Sequence, residues 1–165
     1  MNNAIYSFPK PINEPVKSYA PGSKEKAELK AALKQVSSEV LDIPLVIGGQ
    51  EVRTGDTGNV VMPHDHQHVL ATYHKAGPKE VQMAIDAALK ARQEWSDLPF
   101  TERASVMLRV AELISTKYRY LVNASVMLGQ SKNPFQAEID APCELIDFLR
   151  YSTFYASQVY ADQPY

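Results

Sequence analysis

Residues 129–155, GQSKNPFQAEIDAPCELIDFLRYSTFY, decide how the rest of the chain is read. Asn133 offers an N-cap side chain, and Pro134 a first-turn residue whose missing N–H costs nothing there, so a helix starts at this point. Each residue then turns about 100° around the axis. On that wheel Phe135, Leu145, Ile146, Phe148 and Leu149 join Ala137, Ile139, Ala141, Pro142 and Cys143 in one broad apolar arc. Gln136, Asp140, Glu144, Asp147 and Tyr151 collect on the narrow polar side. An arc of that width predicts a helix enclosed by other structure over most of its circumference.

Glu138 breaks the pattern, because it falls near the centre of the arc on the line of Pro142, Leu145 and Leu149. A carboxylate taken out of water must be paired, hydrogen-bonded or protonated, at a desolvation cost on the order of several kcal/mol. Two readings stand side by side: a structural group that pairs with an Arg or caps a neighbouring helix, or a site carboxylate. Pro142 adds to the oddity, since it cannot donate to the Glu138 carbonyl and predicts a kink.

Outward from this helix, Pro9, Pro11, Pro15 and Pro21 make residues 1–22 an extended arm. Ser23 caps a helix whose Leu29, Leu33, Val36 and Val40 share a face. Ile43–Ile47, Gly48-Gly49 and Gln50–Val52 read as a strand and tight hairpin, followed by a second strand pair, Val60–Met62 with Val69–Tyr73. Helices then open at Pro78, around Thr101 and at about Arg119, the last running to Leu128. The strands found are short and antiparallel, and the alternation of a parallel nucleotide-binding sheet is missing. The fold class expected is mainly α-helical with short antiparallel β-hairpins and no complete Rossmann sheet, a piece of a larger α/β fold.

With 165 residues, 45% hydrophobic and 22% charged, the chain has ordinary globular composition for one modest domain. A formal net charge of −2 argues against a nucleic-acid binder, and the chain has no apolar run of membrane-spanning length. The N-terminus lacks the basic and apolar regions of a signal peptide and differs from a transit peptide, so a cytoplasmic protein is expected. Cys143, the one cysteine, lies mid-helix near Asp140, Glu144 and Asp147, which would raise a thiol pKa, and reads as structural. His64, His66 and His68 alternate as a metal site might, but Pro63 and Asp65 make the segment an exposed turn. The GlyGlnSerLys of residues 129–132 lacks the remainder of a phosphate loop and reads as a helix C-cap glycine and turn.

The segment 129–151 resembles the aldehyde dehydrogenase superfamily, and within it the delta-1-pyrroline-5-carboxylate dehydrogenase branch. Trp95, Glu102, Arg103 and Ala111 fit the general aldehyde dehydrogenase pattern; QAEIDAPCELIDF and PHDHQHVL favour the branch. The resemblance covers almost the whole chain. It implies an NAD-dependent oxidation of L-glutamate γ-semialdehyde to L-glutamate in proline breakdown, by a cysteine nucleophile, an oxyanion-binding asparagine and a water-activating glutamate. None of those motifs occurs here, and Cys143 does not stand in the nucleophile motif. The chain is therefore expected to be an N-terminal portion, with the arm at 1–22 and an incomplete aldehyde dehydrogenase domain at 23–165. It would lack catalytic residues, the NAD-binding elements and a metal site.

The partners implied are the rest of the dehydrogenase chain, a small-molecule substrate and, for the full protein, further copies of itself. Glu138 matches the family's AEID glutamate beside the substrate tunnel and is expected to hold or polarise the substrate end. Lys132 fills a basic position expected to be a structural anchor, and Pro142 replaces the small helix former expected there. Alternatives are a non-catalytic helical interaction module and an aldehyde dehydrogenase of broader range.

Overall fold

The structure, a computed structural model, describes residues 8–162. Helix α1 spans Lys24–Ser38 and begins as its sequence predicts, with the Ser23 hydroxyl accepting from the Lys26 N–H. Its one buried side chain, Leu29, faces α4 (Arg119–Gln130). Val40 lies past the helix end and is exposed.

The single strand expected over Ile43–Ile47 is two. Strand β1 (Leu41–Ile43) pairs parallel with β5 (Asp65–His74), whereas β2 (Leu45–Ile47) pairs antiparallel with β3 (Gln50–Val52). Pro44 separates them, because a residue without an N–H cannot continue a ladder. The small parallel pairing was therefore missed, while the β2–β3 hairpin follows expectation. Gly48 and Gly49, at φ 57° and 78°, give it a turn that bulkier residues resist. Strand β4 (Thr57–Met62) completes a sheet of order β1-β5-β4. The Tyr73 ring lies over Gly58, where an added Cβ would come within 2.6 Å of it.

Helices α2 (Pro78–Asp97) and α3 (Phe100–Leu113) follow. A π-helical turn at Ile114–Tyr118 leads directly into α4. Its C-terminus closes on Ser131 in the left-handed region at φ 55°, while Gly129, the expected cap, lies inside the helix. Asn133 and Gln136 then form a reciprocal capping box at the start of α5 (Pro134–Glu138).

A second π-helical turn, Ile139–Cys143, holds Pro142 and joins α5 to α6 (Glu144–Ala161). The widened turn answers the proline: no α-type bond to the Glu138 carbonyl is available, so the helix adds a residue to the turn instead of stopping. This shifts the ideal wheel. Ala137, Glu138, Pro142, Cys143 and Ile146 are buried, while Phe135, Leu145 and Phe148 are 65%, 45% and 62% exposed. The predicted arc is thus only partly enclosed among the described residues. The core is small, with Ala111, Ile114 and Ile146 in contact and Leu149 against them. Helix α2 buries none of its side chains.

Candidate functional site

The described part of the arm has neither helix nor strand and closes in a turn at 20–23, where the Ser23 N–H donates to the Ala20 carbonyl; the arm's first seven residues and residues 163–165 lie outside the described residues. The arm crosses α4, the second π-helical turn and α6, and carbonyls, amides and carboxylates meet there. Glu138 is 0% exposed and forms the hub. Its Oε1 accepts from the Lys17 N–H at 2.9 Å and from Arg119 Nε at 3.0 Å, with a further bond from Arg119 Nη2. Its Oε2 accepts from Tyr19 OH at 2.5 Å and Asn123 Nδ2 at 2.7 Å. Arg119 and Asn123, one helical turn apart on α4, therefore grip both oxygens from one side, while the arm supplies the other donors.

Arg119 is itself 1% exposed. Besides Glu138 it pairs with Glu14 and donates to the Pro15 carbonyl at 2.7 Å. Glu14 also accepts from Ser115 and from Arg150 Nη1, each at 2.7 Å. Two carboxylates and two guanidiniums thus alternate in a neutral chain, Glu138–Arg119–Glu14–Arg150. Tyr19 takes a left-handed backbone at φ 53° to bring its hydroxyl to Glu138, a conformation costing on the order of 1–2 kcal/mol.

Burial alone would push the Glu138 carboxyl up, but hydrogen bonds from Arg119, Tyr19, Lys17 and Asn123 hold it below its ordinary value. Glu14 is lowered likewise: burial opposes, and Ser115, Arg150 and Arg119 prevail. Tyr19 is pushed up by burial and by the Glu138 charge, so its hydroxyl stays a donor. Burial, reinforced by the Glu138 charge, pushes the Cys143 thiol up to about 11. Its Sγ lies 3.4 Å from Arg119 Nη2 and 3.8 Å from Glu138 Oε1. At neutral pH roughly one thiol in 10⁴ would be ionised, which is the wrong state for a nucleophile. Glu14 and Glu138 are thus held ionised, and Tyr19 and Cys143 protonated. What the cluster can do is fix the arm and the π-helical turn in one geometry.

The other sequence candidates fall elsewhere. Lys132 pairs with Asp140 at 2.8 Å, tying the α4–α5 turn to the second π-helical turn. His64 meets Ser131 Oγ at 2.8 Å, and His68 meets the Ser37 carbonyl at 2.9 Å. Among the described residues, no three His, Cys, Asp or Glu side chains converge as a metal site. No helix among them is long and apolar enough to cross a membrane.

Sequence reading found Glu138 but not Arg119, Asn123, Glu14 or Tyr19. A signal existed on α4: Arg119 and Asn123 fall at i, i+4 and run into the apolar face that holds Ala124. The arm residues carried none, because an extended Pro-rich segment has no period.

Residues 51–164 match the aldehyde dehydrogenase family. A probable delta-1-pyrroline-5-carboxylate dehydrogenase of Schizosaccharomyces pombe is 47% identical over 98% of this chain and 30% of its own length. The mitochondrial delta-1-pyrroline-5-carboxylate dehydrogenase of Homo sapiens is 41% identical over 94% and 28%. The crystal structure of the Mycobacterium tuberculosis delta-pyrroline-5-carboxylate dehydrogenase bound with NAD superposes with a TM-score of 0.94 at 43% identity. That match covers 99% of this chain and 31% of the other. This chain spans about 30% of the length of the curated relatives it matches.

Proposed function

This chain belongs to the aldehyde dehydrogenase family, and we propose that it is the N-terminal portion of an NAD-dependent enzyme oxidising L-glutamate γ-semialdehyde, formed from 1-pyrroline-5-carboxylate, to L-glutamate. The observation that carries the reading is the likeness over 98% of the chain at 47% identity to a probable delta-1-pyrroline-5-carboxylate dehydrogenase. In the parent this portion supplies outer helices, an edge hairpin and one wall of the substrate tunnel. NAD chemistry belongs to the remainder. The strand–turn–helix from β5 into α2 could approach a phosphate, but the Glu80 carboxylate already takes the Gly77 N–H at 2.9 Å. A carboxylate in that place repels a phosphate, which supports assigning the dinucleotide to the remainder of the parent.

Glu138 stands in this reading at the substrate end of the wall. Both its oxygens are occupied by protein donors, so it acts by positioning: it keeps the α5–α6 junction rigid under the tunnel. The parent is a homo-oligomer with neither nucleic acid nor membrane as partner, and cytoplasmic placement is part of the same proposal. A fluorescent fusion of the parent found in mitochondria would overturn that last point.

The test is turnover of the full-length parent with glutamate semialdehyde and NAD, followed as NADH formation. Efficient turnover with weak activity on short aliphatic aldehydes supports the reading. Equal or better activity on simple aldehydes would assign a broader-range enzyme. In the same assay, Glu138→Gln should raise KM for the semialdehyde with kcat largely kept; an unchanged KM removes Glu138 from the substrate end.

A further inference from the structure

Between α3 and α6 runs a groove of about 450 Å³ whose walls include Trp95, Phe100, Met107, Leu145 and Phe148. One cation lies in it, Arg103. Its Nη2 donates to Tyr160 OH at 2.7 Å, but its Nε is buried and has no hydrogen-bond acceptor. No carboxylate among the described residues pairs with it. A guanidinium cannot shed its proton, and an unmet buried donor on a charged group is costly. Two of the wall residues are exposed, Phe148 at 62% and Leu145 at 45%, whereas Phe100 is buried against Phe8 and Tyr160.

We infer that this groove is the seat of an apolar, carboxylate-bearing segment of the parent polypeptide beyond residue 165, with Arg103 as its ion-pair anchor. The inference rests on the reading of this chain as the N-terminal portion of a longer dehydrogenase. Charge complementarity selects the occupant: the groove is apolar with one unneutralised cation, and an Asp or Glu within an apolar segment satisfies both. A carboxylate entering the groove can accept from an Nη of Arg103 in a charge-assisted hydrogen bond. The remaining roughly 70% of the relatives' length supplies chain enough to reach it.

The experiment uses the full-length parent fused to a folding reporter, so that soluble yield is read without any substrate. Arg103→Glu should cut soluble yield on the order of tenfold, because it sets two carboxylates against each other in a desolvated groove. A library changing each downstream Asp and Glu to Lys or Arg should then contain a single substitution that restores it. Wild-type yield from both Arg103→Glu and Arg103→Ala would overturn the inference, as would the absence of a downstream restoring substitution in a saturating screen. Binding of a small carboxylic acid to the parent with yield indifferent to Arg103 would overturn it too, and assign the groove to a ligand. If a restoring pair is found while the wild-type parent fails to oxidise glutamate semialdehyde, the functional reading fails and the docking inference stands.

Discussion

Glu138 shows how a misplaced-looking residue is accommodated at no cost in proton affinity. Its carboxylate is fully buried, yet its donors hold it ionised. Breaking one partner of such a pair costs about 3–5 kcal/mol, because the other charge is left behind. Glu138→Gln in the full-length parent should therefore lower the unfolding free energy obtained from urea titration by an amount in that range, whereas a change within error would mean Arg119 is held without it. The pH dependence has a fixed sign. Glu14 and Glu138 are both depressed from an ordinary value of 4.5. Their stabilisation is complete above that value and is lost as pH falls through the depressed folded pKa. Acid unfolding monitored by circular dichroism should show a steep limb below about pH 4.5 that flattens in Glu138→Gln. Cys143 makes a separate prediction: with its thiol up at about 11 and 5% exposed, it should resist thiol reagents at pH 8 until denaturant is added. Rapid native labelling would contradict its inert placement.

At the scale of elements, the arm and the two π-helical turns depend on one another. The Tyr19 hydroxyl crosses 119 residues of sequence to reach Glu138. Tyr19→Phe keeps the ring and leaves Oε2 with Asn123 alone, so it should cost about 1–3 kcal/mol in denaturant titration of the parent. Its hydrogen exchange should rise in residues 13–19 before it rises in α4; uniform change would show that the arm is not a separable strap. The helix starts were legible because their causes are local. Ser23 and Asn133 announce themselves within three or four residues. Tyr19 and Glu14 were not legible, since their partners, Glu138 for the one and Arg119 and Arg150 for the other, lie more than 100 residues away in the chain. The parallel β1–β5 pair was missed for a similar reason: Pro44 divides an apolar run that reads as one strand, and pairing with β5 skips the three strands between them in the chain, β2, β3 and β4. The π-helical turn at Pro142 was foreseen only as a kink. A fixed 100° wheel cannot show that the turn widens and turns Phe148 outward.

At the scale of the molecule, the described residues leave many large apolar side chains exposed. Val81, Ile85 and Leu89 on α2 are exposed at 52%, 47% and 60%, and the α3–α6 groove is open. An apolar patch of that extent marks a surface made to be covered. The covering structure proposed is the rest of an aldehyde dehydrogenase chain, and this portion contributes the clamped wall on which the Glu138 cluster sits. The family was legible from the 129–151 segment because its residues are specific in combination, whereas the identity of the clamp needed the fold. The most direct test is the intact mass of the native polypeptide recovered from its source and detected through this N-terminal region. A mass about three times 18.4 kDa is predicted, in line with relatives of which this chain spans 30%. A mass near 18.4 kDa would contradict the reading and leave the open faces to a separate partner.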